Sequence, residues 1–206
     1  MGPRAIQREW IPRRDPRSRL GTRSVIVTLV AGFVALQATN SASISIMSLF
    51  VTERLNLPLI WSGIALGLSA LLEIPALVAI GKLSKRYSAH TLIVSGCLAG
   101  AMYYTVMTFL ADPITLLVAQ MLNAWFFGIV AGVGLTIFQD IIPRPGLASG
   151  LYTNTRRIGA IVSGALIALG SATPLGYQGI FAACAIITLA ALALMNATRT
   201  RTDQKS

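Results

Sequence analysis

Residues 71–86 read LLEIPALVAIGKLSKR, an apolar run interrupted by Glu73 and Pro75 that stops in a loop carrying Lys82, Lys85 and Arg86. Traced back to Leu59, the run is long enough to cross a bilayer, whose hydrocarbon core of roughly 30 Å takes about 20 apolar helical residues. Its neighbours follow suit. No Asp, Glu, Lys or Arg occurs in residues 24–52, 87–111, 113–139 or 158–198, runs of 29, 25, 27 and 41 residues. Helices built from such runs lack the polar face that a soluble bundle shows to water. Only 12% of the 206 residues are charged, about half the roughly 25% of a soluble domain, and mean hydropathy is +0.69. The expected fold is an all-α membrane protein.

Six spans are expected, at about 24–52, 59–80, 90–110, 114–138, 147–170 and 179–197. Asp112-Pro113 closes the third, Pro143-Arg144-Pro145-Gly146 the fourth, and Thr173-Pro174-Leu175-Gly176 turns the fifth into the sixth. The domain reading is a basic tail over 1–23, a six-helix transmembrane lobe over 24–197 and a second tail over 198–206. The first tail reads as a disordered cytoplasmic linker. Its cations are too dispersed for a secretory signal and no cleavage site follows; Met1-Gly2 lacks the downstream Ser or Thr of a myristoylation signal.

The net charge of +10 belongs to orientation rather than to nucleic acid. Seven of the 17 cations precede residue 24, and most others cap apolar runs, with no aromatic or glycine-rich groove element beside them. The amino tail, the loop at 82–86, Arg144 and the carboxyl tail hold fourteen cations, whereas Arg54 is alone on the other side. Positive residues stay on the cytoplasmic side, so both termini are expected there. Cys97 and Cys184 form no disulfide or metal pattern. His90 reads as a solvated loop residue. No metal, cofactor or catalytic residue is expected: the chain shows no nucleophile–base pair and no phosphate-binding glycine loop.

An ionisable side chain inside a span costs about 2.5–3.5 kcal/mol on insertion scales and marks a pathway or a pair. Glu73 lies about 12 Å, and Arg156 and Arg157 about 14 Å, from the same boundary at about 1.5 Å per residue. Glu73 is therefore expected to pair with Arg156 or Arg157 across the bundle. Such a pair either locks two helices or switches with protonation. Pro75 removes a helix hydrogen bond nearby and can kink the span. Gln37, Asn40, Gln120, Asn123, Tyr152 and Asn154 are candidate hydrogen-bond partners for a polyhydroxylated solute, though helix glue is the commoner role of such groups. Trp125-Phe126-Phe127 offers rings for a sugar or for lipid, and Asp140 reads as a surface partner of Arg144. Gly128, Gly132, Gly134, Gly159, Gly164 and Gly170 permit close helix packing.

The loop Gly81, Lys82, Leu83, Ser84, Lys85, Arg86, Tyr87, Ser88 resembles the G-x-L-x-[DK]-R-x-G loop of the major facilitator superfamily, with Ser88 in place of the last glycine. Residues 67–75 (GLSALLEIP), 138–143 (FQDIIP) and 151–159 (LYTNTRRIG) narrow the likeness to the carboxyl-terminal half of the sugar efflux transporter family, over roughly residues 25–195. The resemblance implies efflux of sugars or glycosides by a proton-coupled, two-lobed carrier of twelve helices. It puts Glu73, Asn154 and Arg156 on motif positions and the loop 81–86 at a conformational hinge. The implied partners are the lipid bilayer, a small sugar, a proton and an amino-terminal six-helix lobe on a separate chain, or a second copy in a homodimer. A lone lobe is expected to be inactive. A drug or metabolite exporter of the same superfamily, and a non-transporting membrane interaction protein or relic, are the alternatives.

Overall fold

A computed structural model describes the backbone of residues 16–203 and the side chains of residues 25–197. It is built from six long helices: α1 (Pro16–Leu49), α2 (Ile60–Leu83), α3 (Ala89–Phe109), α4 (Pro113–Ile141), α5 (Pro145–Ser171) and α6 (Tyr177–Asp203). A π-helical turn, Phe50–Arg54, continues α1. No strand occurs among the described residues.

Two boundaries differ from the sequence reading. The first helix starts at Pro16 instead of near residue 24, so part of the expected linker is helical. Proline suits a first helical turn, where its missing N–H would be unpaired anyway, and arginine is a good helix former. The last helix runs on to Asp203, past the expected end at 197. Residues 1–15 of the expected tail lie outside the described residues.

Short polar signals set the other starts. Ser88 caps α3, its hydroxyl accepting from Thr91 N at 3.2 Å. Asp112 caps α4, accepting from Thr115 N at 2.8 Å, with Pro113 at the first helical position. These bonds satisfy backbone donors that a helix leaves free at its start. Hydrogen bonds from the Thr115 hydroxyl and then its backbone N–H hold the Asp112 carboxyl below the usual aspartate range. The second helix passes through Pro75 without a break.

Five helical segments have the length and apolarity of membrane spans: Val25–Arg54, Ile60–Leu83, Ala89–Phe109, Pro113–Ile141 and Tyr177–Ala197. The expected fifth span is the exception. Its helix, α5, is long enough at 27 residues, about 40 Å at about 1.5 Å per residue. It is less apolar because it carries Arg156, Arg157 and the polar run 152–155. The core gathers α1, α3, α4 and α6 around Phe33, Tyr103, Tyr104, Phe126 and Phe181, all fully buried. By contrast, α2 packs chiefly on α4 and α5 on α1, α6 and α4, while α2 and α5 make no substantial contact with each other.

Candidate functional site

The second helix presents one stripe to α4. Ser62, Ala65, Ser69 and Ile80 are buried, and Glu73 and Ala76 are half-buried; their spacing of three and four residues is that of a single helix face. Two contacts fix the register. Asn123 Nδ2 donates to Ser69 Oγ at 2.9 Å, and a Cβ on Gly128 would lie 2.9 Å from Ile80 Cδ1 and 3.6 Å from Ala76 Cβ. Glu73 sits between them along α2.

On the other flank, Arg156 is exposed, its guanidinium carbon 6.0 Å from the centre of the half-buried Phe127 ring. Arg156 lies near enough to Glu73 for their charges to attract, with no direct ion pair at the carboxylate among the described residues. Arg157 is also exposed, turned from Arg156 by about 100° about the helix axis.

Tyr152 anchors this flank. Its hydroxyl donates to Val130 O at 2.8 Å, and its ring meets Phe33 and Phe138 edge-on at 6.0 and 5.6 Å. Gly134 makes room, since a Cβ there would lie 2.5 Å from Phe33 Cε1. About two turns further, Gly159 lets α5 lie against α1, where a Cβ would lie 2.6 Å from Gln37 Cβ and 2.9 Å from Ala38 N.

The structure separates the candidate solute-binding residues. Gln37, Asn40, Gln120 and Asn123 are buried inside the lobe. Gln120 donates to Leu116 O at 3.1 Å and accepts from Asn123 at 3.4 Å, while Tyr103 OH and Ser43 Oγ are 3.1 Å apart. The Tyr103–Ser43 and Asn123–Ser69 contacts join helices in the interior, whereas the bonds of Gln120 stay within α4. Tyr152 is half-buried and Asn154 exposed. Of the three adjacent aromatic residues, Phe126 fills the core against Tyr104 at 5.9 Å and Trp125 packs against its edge; Phe127 alone meets a cation.

Other positions fall outside this cluster. Gly81 lies in the last turn of α2, and Lys82, Ser84, Lys85 and Arg86 are exposed beside half-buried Leu83. His90 departs from the expected solvated residue: it sits half-buried in the first turn of α3, its Nε2 2.7 Å from Asn196 Oδ1 on α6. Cys97 and Cys184 are buried free thiols. No cluster of metal-ligating side chains occurs among the described residues. The sequence reading missed Ser69 and the Arg156–Phe127 contact. The small residues Ser62, Ala65 and Ser69, repeating at helical spacing ahead of Glu73, were the signal for the first.

An apolar six-helix bundle with charged and aromatic side chains on one flank is the architecture of one lobe of a membrane carrier. The sequence profile of the Major Facilitator Superfamily matches residues 29–206, and the chain belongs to that superfamily, whose members are carriers rather than enzymes. It is 39% identical over 161 residues to sugar efflux transporter B of Salmonella typhimurium, a match covering 78% of this chain and 39% of that protein. Sugar efflux transporter A of Dickeya chrysanthemi is 37% identical over 149 residues, 72% of this chain and 38% of that one. A putative sugar efflux transporter of Deinococcus radiodurans is 36% identical over 170 residues, 81% and 43% respectively. The chain thus spans about two fifths of the length of these relatives.

Proposed function

We propose that this chain is one half of a sugar efflux carrier, working against a second six-helix lobe in a bacterial inner membrane with both termini cytoplasmic. The observation that carries the reading is the contact of exposed Arg156 with Phe127 on the flank where α5 and the Glu73-bearing α2 stay apart. Its chemistry suits a polyhydroxylated solute. A pyranose has an apolar face that fits Phe127 and hydroxyls that fit Arg156, Tyr152 and Asn154. Relatives named for sugar efflux support the same class. Their greater length supports a second lobe, because carriers of this architecture bind solute between repeats.

Coupling falls to Glu73. Charged, the carboxylate is attracted to Arg156; protonated, it gives up that attraction and frees the guanidinium for the solute. The lobe changes its interactions by taking one proton, and a rocking motion of the two lobes follows from that change. The buried amides Gln37, Asn40 and Gln120 serve the lobe's own integrity, and the conformational loop at 81–86 carries cytoplasmic cations.

The test is transport in vesicles. The chain is reconstituted alone and together with the amino-terminal six-helix lobe of a full-length relative, and efflux of radiolabelled hexosides is followed under a pH gradient. Flux from the mixture and none from the chain alone is the expected outcome. Flux of amphiphilic drugs in place of hexosides assigns the drug-exporter alternative. No flux of either from an assembled pair favours a non-transporting interaction protein.

A further inference from the structure

The proposed function draws charged Glu73 toward the guanidinium of Arg156, and the bundle offers a partner for its neutral form. Asn123 on α4 is 5% exposed. Its Nδ2 donates to Ser69 Oγ at 2.9 Å and to Gln120 Oε1 at 3.4 Å. Its carbonyl oxygen, Oδ1, is buried and accepts from no donor. Such an atom has lost its hydration without a replacement, and native interiors rarely leave one so.

Ser69 and Glu73 are four residues apart on one helix and share its α4-facing stripe. The residue hydrogen-bonded to Ser69 therefore meets α2 one helical turn from Glu73. Protonation supplies what Oδ1 lacks: a carboxylate only accepts, whereas a carboxylic acid carries one O–H donor. The helix bearing Glu73 is also the least restrained of the six, since it packs chiefly on α4.

We propose that Asn123 is a positioning residue for Glu73, receiving the neutral carboxyl when it leaves Arg156 by accepting its O–H at Oδ1. The inference rests on reading Glu73 as an exchanging carboxylate and adds the group that holds its uncharged form. Only one O–H bond forms, with a proton from the aqueous phase. Other titratable groups near Glu73 are few. From α5 come Arg156, with Arg157 beside it, and Tyr152, which donates to Val130 O. On α4, Asp140 lies far along the helix, exposed. On α2, Lys82 is nine residues away, and residues 24–52 of α1 carry no charge.

Infrared difference spectra between acid and neutral pH, on the whole purified chain in phosphatidylglycerol–phosphatidylethanolamine vesicles, test this without any transport. The carbonyl band of protonated Glu73 is assigned by its loss in Glu73→Gln. In Asn123→Leu the band is expected to move to higher frequency, as for a carboxyl without an acceptor partner. An unmoved band in that variant overturns the proposal, and so does a wild-type chain showing no Glu73 band at all. Should Asn123→Leu misfold, asparagine labelled with ¹³C at its side-chain carbonyl reports on the unaltered pair. A labelled band that shifts with acid in wild type and not in Glu73→Gln is expected; no such shift overturns the proposal. Loss of solute flux leaves these bands untouched, so failure of the transport reading is separable from failure here.

Discussion

Phe127 and Arg156 meet at 6.0 Å, a cation–π contact that contributes about 0.5–1 kcal/mol at an exposed site. If the ring also receives the solute, Phe127→Leu removes both roles while keeping bulk. The expected result is hexoside binding weakened by about fivefold, from about 1 kcal/mol of lost interaction, with Phe127→Tyr close to wild type; equilibrium binding to the assembled carrier measures it. Glu73→Gln separates coupling from stability. Efflux should lose its dependence on the pH gradient while solute exchange at equal pH persists, because the variant stays permanently neutral. A lock between helices gives the opposite pattern, with coupling intact and a less stable protein. Asp112 lies outside the spans and titrates by a different logic. Two bonds to Thr115 hold its carboxyl below the usual range, so its share of stability is full above the ordinary aspartate value and fades as pH falls through the lowered one. Thermal unfolding should therefore lose its acid-limb sensitivity, in part, in Asp112→Asn.

At the scale of helices, a glycine matters only where another backbone or ring has taken its place. A Cβ on Gly159 would lie 2.6 Å from Gln37 Cβ and 2.9 Å from the Ala38 backbone nitrogen. Gly159→Ala must push α5 off α1, and overpacking of this kind costs about 1–3 kcal/mol. Gly164, only five residues on, has no neighbour within 4 Å of its would-be Cβ. Gly164→Ala should be neutral or gain part of the roughly 1 kcal/mol by which alanine exceeds glycine in helices; unfolding in mixed micelles ranks the two. The sequence made both glycines packing candidates alike, because composition does not reveal which face of α5 meets α1. Helix existence was legible throughout, since uncharged runs leave a membrane chain no other structure. Helix ends were less so: α1 and α6 extend into their basic flanks, where apolarity stops but helix propensity does not.

Over the whole molecule, the candidate site was half legible. Charges in a greasy context mark themselves, so Glu73 and Arg156 stood out; their neighbours did not, because Ser69, Phe127 and the split between buried and exposed amides depend on helix rotation and pairing. The orientation rests on charge alone: fourteen cations on one side against Arg54 on the other, a bias that fixes topology through loops close to the span ends. The chain is suited to a direct test, because its two native thiols, Cys97 and Cys184, are buried out of reach of an aqueous reagent. Single cysteines at Lys85, between α2 and α3, and at Glu53, beyond α1, are both exposed positions on opposite sides of the proposed topology. In intact cells a membrane-impermeant maleimide should label Glu53→Cys and spare Lys85→Cys until the membrane is opened. The reverse pattern puts the basic loops outside and inverts the carrier. Equal labelling of both in intact cells means that α2 does not cross the bilayer, and the six-span arrangement then fails at the helix from which Glu73 was read.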